Sequence, residues 1–169
     1  AISLNGEPTL YQNLSEYMDL CHKHGMTTML VTNGTLPKAL ENLDVLPTQL
    51  YVSVDAPNKE VFDKICKPKW NSGAWDKFEQ TIDLLPSLDT RIVCRHTMIK
   101  GENMNPEHIA QYAALDNRAD PDWIECKGYV FVGHSRENLS IENMPSHDDI
   151  LEFASALAPQ VDRKLLDDS

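Results

Sequence analysis

Short apolar runs alternate along the chain with stretches in which apolar residues recur every three or four positions. Residues 1–4 (AISL) read as a strand. Leu14, Tyr17, Met18 and Cys21 then fall at i, i+3, i+4 and i+7, the spacing of a helix with one buried face. Gly25 supplies its stop, and residues 27–32 (TTMLVT) form a β-branched-rich strand. A short helix is predicted over 37–43 and a strand over 49–54 (QLYVSV). Trp75, Phe78, Ile82 and Leu85 mark a second helix face that ends before Pro86. Arg91–Met98 reads as a strand, and Asn105-Pro106 as a cap and first-turn proline opening a helix to about Leu115. Residues 123–132 complete the strands. Ser146 caps a last helix with Ile150, Phe153, Ala154 and Leu157 turned inward. No repeat of fixed period and no low-complexity segment is evident.

Five strands alternating with helices predict an α/β protein of parallel βα units joined by right-handed crossovers. The chain reads as a single domain over 1–169, with 159–169 as a tail. Two architectures satisfy this order, a doubly wound sheet and a barrel-like sheet. A closed eight-stranded barrel typically takes about 250 residues, more than the 169 present, so a barrel here would be open or partial.

Charge and cysteine content narrow the chemistry. The balance of 15 basic against 26 acidic residues leaves a net charge of −11, so the whole molecule is no electrostatic binder of nucleic acid. Residues 137–169 are the most acidic part, with only Arg163 and Lys164 as cations, and are expected to face away from any polyanion. The lysines at 59, 64, 67, 69 and 77, set against Glu60, Asp63 and Asp76, make a mildly basic stretch that reads as a solvated face. No apolar run approaches the roughly 18–20 residues of a membrane span. No signal-peptide pattern opens the chain. Cys21, Cys66, Cys94 and Cys126 lie far apart in sequence, with no CxxC and no zinc-knuckle spacing; reduced thiols in a soluble cytoplasmic protein are expected. The opening residue is not methionine and stands inside a strand, which points to processing or to a piece of a longer protein.

Each strand ends in small and polar residues: Asn5-Gly6-Glu7-Pro8, Thr32-Asn33-Gly34-Thr35, Ser53-Val54-Asp55-Ala56, Arg95-His96-Thr97 and Cys126-Lys127-Gly128-Tyr129. Turn chemistry accounts for Gly6, Gly34 and Pro8. It accounts poorly for Glu7, Asp55, Arg95 and Lys127, because charges at strand mouths lose solvation unless paired or liganded. A polar pocket shared by the strand ends is therefore expected, where ligands of parallel βα sheets bind. GxGxxG, Walker, HExxH and GxSxG patterns are absent. His22 and His24 flank Lys23 and read as a surface pair, His147 as a first-turn residue of the last helix, and Trp70 and Trp75 as core or lid.

The strand-end strings resemble a known family. Ser3 to Tyr11 (SLNGEPTLY) is similar to the second-strand motif of radical S-adenosylmethionine (SAM) enzymes. LVTNGT (30–35), PTQLYVSVDAP (47–57), RHTMIKGENM (95–104), IECKGYVFVGHSR (124–136) and ENMPSH (142–147) resemble one family among them, the tRNA 4-demethylwyosine synthases. The resemblance runs from residue 3 to about 158. It implies a partial (β/α)6 barrel, here about five βα units starting at the second strand. It also implies a [4Fe-4S] cluster that reduces SAM to a 5′-deoxyadenosyl radical, which takes hydrogen from the N-methyl group of N1-methylguanosine in phenylalanine tRNA. Pyruvate then supplies two carbons of the new ring, with electrons from a flavodoxin-like donor, in a monomeric enzyme.

By resemblance, Gly6 and Glu7 match the motif that holds the methionyl amine of SAM, chemically apt for a carboxylate beside an ammonium. Asn33, Ser53 and Asp55 match positions able to hold the ribose and methionyl ends, and Arg95 is placed to pair with the SAM carboxylate. Lys127 is assigned a catalytic role, and Tyr129, Ser135 and Arg136 face the tRNA base and backbone. The chain departs from the superfamily in lacking CxxxCxxC, whose three cysteines hold three irons. In the family that motif, and the lysine that binds pyruvate, lie upstream. The expectation is thus a chain that carries SAM and substrate walls but no metal ligands, and that is inactive alone. Another radical SAM enzyme and a non-catalytic barrel-type binding module are the alternatives.

Overall fold

The computed structural model describes residues 1–3, 6–68 and 72–166. Four parallel strands form one sheet: β1 (Met29–Thr32), β2 (Gln49–Ser53), β3 (Arg91–Met98) and β4 (Trp123–Gly128). Their spatial order is β1-β2-β3-β4, the order of the sequence. A doubly wound sheet reverses its strand order at a switch point. This one does not, so the barrel-like alternative is the architecture observed.

Among the described residues six helices accompany the strands: α1 (Leu14–Lys23) before β1, α2 (Pro37–Glu41) between β1 and β2, α3 (Lys59–Ile65) and α4 (Ala74–Leu84) between β2 and β3, α5 (Ile109–Ala119) between β3 and β4, and α6 (His147–Leu157) after β4. They cover one face of the sheet, because right-handed crossovers in an unreversed order all fall on the same side. Burial follows the pleat. The rows Leu30–Leu50–Ile92 and Thr32–Val52–Cys94 are buried beneath the helices. Met18, Leu40, Phe78, Ile82, Leu85 and Tyr112 close over them from the helix layer. The opposite face carries Tyr51, Ser53, Arg95, Thr97, Glu125 and Lys127, the face that a barrel turns toward its axis.

The predicted α4 face is seen in full, with Trp75, Phe78, Ile82 and Leu85 all buried. In α1 only Leu14 and Met18 are buried; Tyr17 is exposed. The N-terminal strand is reduced to one bridge, Ile2 against Leu30, with Leu4 and Asn5 outside the described residues. β4 stops at Gly128 instead of residue 132, because Tyr129 still bonds Met98 O (2.9 Å) but the chain then turns away. α5 runs on to Ala119, four residues past the expected end, and Asp120 stops it in a left-handed conformation.

The basic stretch around residue 60 is solvated on its lysine side, as expected, and buried on the other. It contains α3, whose Asn58 caps the helix by accepting from Val61 N–H at 3.0 Å. Val61 and Phe62 are buried, and the Phe62 ring packs 5.5 Å from Trp75 and 6.0 Å from Phe78. Lysines face water on one side of α3 while its other side joins the core. Trp70 lies outside the described residues. The end of the chain is also anchored: Val161 is buried, and Arg163 donates to Asp120 and to Pro121 O, each at 3.0 Å. No helix among the described residues is long and apolar enough to cross a membrane.

Candidate functional site

Glu7 organises the first strand mouth. Its Oε1 accepts from Thr9 N–H (3.1 Å), the Thr9 hydroxyl (2.7 Å) and the Thr32 hydroxyl (2.7 Å), and its Oε2 from Asn33 N–H (2.8 Å). One carboxylate thus caps the short 3₁₀ turn at Pro8–Leu10 and ties it to the end of β1. Oε1 is saturated, whereas Oε2 keeps room for a further donor. Asn33 in turn accepts from Thr35 N–H (2.9 Å) and the Thr35 hydroxyl (2.7 Å), which fixes its side-chain plane. Gly34 follows with φ +68°, and a Cβ there would lie 3.2 Å from both Phe78 and Val52. Only glycine lets this turn lie flat on the core.

At the second mouth, Ser53 ends β2 and Asp55 lies two residues beyond. Asp55 Oδ1 accepts from Thr97 N–H at 3.2 Å. Burial pushes its carboxyl above the ordinary carboxylate range, against the lowering effects of the Thr97 bond and the positive charges of His96 and Arg95. Glu7, Asn33, Ser53 and Asp55 line a single cavity of about 500 Å3. Leu10, Leu36 and Phe62 give it apolar walls, and Cys66 and Pro68 close one side. A polar end and an apolar wall in one cleft is the usual build of a small-molecule site. A hollow of similar size, about 540 Å3, opens beside β4 and α6, but it lies along a sheet edge and gathers none of the other strand mouths.

The remaining site residues stand apart from that cavity. Arg95 lies on the open face, donating Nε–H to Glu125 at 2.9 Å with its guanidinium 4.3 Å above the Tyr51 ring. In register it neighbours Ser53, which lines the cavity. Lys127 is exposed on the same face beside Thr97. Tyr129 is buried and donates to the Ser135 hydroxyl (2.8 Å), which passes the bond to Val132 O (2.5 Å). Arg136 donates Nε–H to Phe131 O (3.1 Å) and lies 5.2 Å over the Phe131 ring. Tyr129, Ser135 and Arg136 therefore pin the loop after β4.

Sequence reading missed two groups around the cavity. His96 is buried between Val54 O (2.9 Å) and Asp116 (3.0 Å), which ties β3 to α5 directly behind Asp55. Burial alone would lower its pKa, but the charge and hydrogen bond of Asp116, with Val54 O and Asp55, outweigh that and raise it. Asn103 bridges the ends of β2 and β3. The alternation of β3 put His96 on the helix side from the start; its partner on α5 had no sequence signal.

The donor set suits SAM, a molecule with an ammonium, a sulfonium, a ribose diol and an adenine. Glu7 and Asp55 are carboxylates for the cations, Ser53 and Asn33 suit the diol, and the apolar wall suits a base. An iron–sulfur cluster is not suited by this chain's cysteines. Among the described residues no three His, Cys, Asp or Glu side chains gather as a metal site. Cys66 and Cys126 are pushed up to about 12, chiefly by burial and then by nearby carboxylates. His22 bonds the Thr28 hydroxyl (2.8 Å) instead of pairing with His24.

Comparison with known proteins agrees with this geometry. Residues 2–113 match the radical SAM superfamily model and residues 118–169 the model for wyosine base formation. An S-adenosyl-L-methionine-dependent tRNA 4-demethylwyosine synthase of Pyrococcus horikoshii is 48% identical over 93% of this chain and 46% of its own length. The Methanocaldococcus jannaschii protein of the same name is 41% identical over 100% of this chain and 52% of its own. The Saccharomyces cerevisiae protein is 36% identical over 97% and 20%. This chain spans about half the length of the archaeal relatives. A solved structure of TYW1 with a lysine–pyruvate adduct bound superposes with a TM-score of 0.87 at 39% identity, covering 99% of this chain and 52% of that one. A domain of a pyruvate-formate lyase-activating enzyme from Bacteroides vulgatus shares the fold at 17% identity, with a TM-score of 0.69 over 93% of this chain and 91% of that one. Motifs, strand order, the cavity at the strand mouths and these matches converge: the chain belongs to the radical SAM superfamily and, within it, to the tRNA 4-demethylwyosine synthase family.

Proposed function

We propose that this chain carries the SAM-binding wall and part of the substrate-facing wall of an enzyme that converts N1-methylguanosine in phenylalanine tRNA to 4-demethylwyosine, with pyruvate as the second substrate. The observation that carries the reading is the meeting of Glu7, Asn33, Ser53 and Asp55, from the ends of successive strands, on one cavity. When bound, SAM supplies the adenosyl group on which radical SAM chemistry depends.

Each residue has a separate task. Oε2 of Glu7 accepts from the methionyl ammonium, in a carboxylate already oriented by four protein donors. Gly6, with φ +80°, lets the backbone approach the same end. Asp55 faces the cationic centre and Ser53 and Asn33 the ribose hydroxyls. Arg95 turns its terminal nitrogens to the SAM carboxylate while Glu125 and Tyr51 hold the rest of the guanidinium. Lys127, exposed on the open face, faces the substrates and holds or moves a proton at its Nζ. Tyr129, Ser135 and Arg136 shape the loop over which the tRNA base enters. A [4Fe-4S] cluster would be held by residues other than the four cysteines and would supply, from an electron donor of flavodoxin type, the electron that radical SAM chemistry requires. The enzyme acts as a monomer in the cytoplasm.

The test is anaerobic cleavage of SAM to 5′-deoxyadenosine after iron–sulfide reconstitution, by this chain alone and by the chain extended to the length of its archaeal relatives. Cleavage in the extended form only, with 4-demethylwyosine formed on N1-methylguanosine-bearing tRNA, is the expected result. Cleavage without tRNA product favours another radical SAM reaction. No SAM binding by either form favours a non-catalytic barrel.

A further inference from the structure

We infer that Asn103 is a positioning residue that sets Asp55 in the SAM-facing cavity. This rests on the reading of that cavity given above and assigns a task to a residue that does not touch it.

The backbone ladder between β2 and β3 runs out just before the site. Its register pairs end at Ser53 with Arg95, and one more bond, Val54 N–H to Arg95 O at 2.8 Å, closes it. Asp55 lies beyond that last bond, where the β2–β3 backbone ladder no longer fixes it. Contacts from Thr97 and Asn103 do so instead. Thr97 N–H donates to the Asp55 carboxylate at 3.2 Å, and the Asn103 amide donates to Asp55 O at 2.7 Å.

Asn103 is fully buried, and every hydrogen of its side chain is committed. Nδ2 donates to Asp55 O (2.7 Å) and to Thr97 O (2.8 Å), while Oδ1 accepts from Ile99 N–H (2.6 Å). The chain reaches this position by folding back after β3: Glu102 N–H and Asn103 N–H both return to Ile99 O, at 3.1 and 3.2 Å. The turn that leaves β3 thus sends one planar amide between the ends of two strands. It grips Asp55 and Thr97 together, the two residues joined by the carboxylate bond. A buried amide with both donors used tolerates no rotation, because turning it would present an oxygen to two carbonyls. Asn103 therefore continues the ladder one residue past its end, and that residue is the one whose carboxylate faces the cavity.

A turn clamp that served stability alone would have the same contacts, so the test must separate the two. SAM binding is measured by equilibrium dialysis on the reconstituted protein extended to the length of its archaeal relatives, for wild type, Asn103→Ala, Asp55→Ala and the double variant, with thermal unfolding of each. Expected is about a tenfold weakening of SAM binding by Asn103→Ala, which falls below about twofold when Asp55 is already alanine; such non-additivity marks residues that act as one unit. The drop in melting temperature should persist in both backgrounds. Equal losses of affinity in the two backgrounds, or none in either, overturn the inference while leaving the cavity reading intact. Absence of SAM binding to the wild type removes that reading and this inference together. Should Asn103→Ala fail to fold, Asn103→Asp, which keeps the acceptor toward Ile99 and lacks the two donor hydrogens, takes its place in the same cycle.

Discussion

Arg95 donates its Nε–H to Glu125 at 2.9 Å across the open face of the sheet, an ion pair between residues that are direct register neighbours on β3 and β4. The bond takes one of five guanidinium donors. Tyr51 lies 4.3 Å below the same group, so orientation is set and the terminal nitrogens are left for a ligand. The pair fixes the guanidinium on the open face, in register with Ser53, a residue that lines the cavity.

The first prediction concerns that edge. Hydrogen bonds to charged groups are worth about 1.5–3 kcal/mol, so Arg95→Ala should raise the dissociation constant for SAM about ten- to hundredfold. Arg95→Lys should recover only part of the loss, because a point charge can neither stack on Tyr51 nor grip a carboxylate with two parallel bonds. Glu125→Gln should change affinity by less than about threefold, since the pair is partly solvated. Unchanged affinity in Arg95→Ala would remove the residue from the site.

Glu7, proposed to hold the SAM ammonium, also builds the turn around it. Its four accepted bonds span the Pro8–Leu10 turn, Thr32 and Asn33, so its loss should be felt in stability as well as in binding. Glu7→Gln retains one oxygen but turns an N–H₂ toward a donor, at a cost of about 2 kcal/mol. Urea unfolding followed by circular dichroism measures it. A variant with wild-type midpoint and lost SAM affinity would show that the four bonds contribute nothing to the fold.

Residues whose role follows from one segment were readable before the structure, and residues defined by two were not. The α4 face, the Ser146 cap and the polar strand ends follow from local pattern, and Ser146 does accept from Asp149 N–H at 3.1 Å; Asn105 precedes a 3₁₀ turn, Pro106–His108, without a side-chain capping bond, and the α-helix begins only at Ile109. The short α3 was obscured because its seven residues hold only two buried side chains among lysines and acids. β4 was read four residues too long because Val130 and Val132 look like strand residues, yet both are exposed in the loop. The His96–Asp116 bond and the Asn103 bridge join positions 20 and 48 residues apart, and periodicity carries no information about such meetings. A polar pocket at the strand ends was legible from the charges placed there, whereas the grouping of Glu7, Asn33, Ser53 and Asp55 on one ligand came through family resemblance.

Buried His96 predicts how stability responds to alkali. Its pKa in the folded protein stands above the unfolded value of about 6.5. The sign follows: the folded state holds the proton more tightly, so this contribution is complete below about pH 6.5 and is lost as pH rises through the folded value. Cys94 and Tyr112, both raised by burial, add losses of the same sign only near their own ordinary ranges, about 8.5 and 10. Asp55, raised by burial, adds a loss of the same sign from about pH 4 upward, so the share of the decline in urea midpoint between pH 6 and 8 that belongs to His96 is the share its substitution removes. His96→Gln should flatten it while lowering stability by about 3–5 kcal/mol, the cost of leaving Asp116 buried without its partner. A decline of undiminished slope in the variant would assign it to another group.

Asp55 predicts a pH dependence of the opposite sense, in binding. Burial raises its carboxyl above the ordinary range, while the Thr97 bond and the charges of His96 and Arg95 pull it down without cancelling the effect. In the free protein the carboxylate thus forms at higher pH than in the unfolded chain, and its charging costs stability as pH rises past about 4. A bound cation reverses that cost, because an opposite charge within a few ångströms favours the ionised form. SAM must then bind more tightly as pH rises through the Asp55 transition, with release of one proton. His96 stays protonated across the acid range, since its own pKa is raised, and does not confuse the reading. Dialysis of SAM from pH 4.5 to 6.5 should show affinity climbing in the wild type. In Asp55→Asn the profile should be flatter by up to one proton's worth, a factor of ten per pH unit, and weaker at its upper end. Matching slopes in the two proteins would mean that Asp55 does not face the cation, and the carboxylate of Glu7 alone would then hold it.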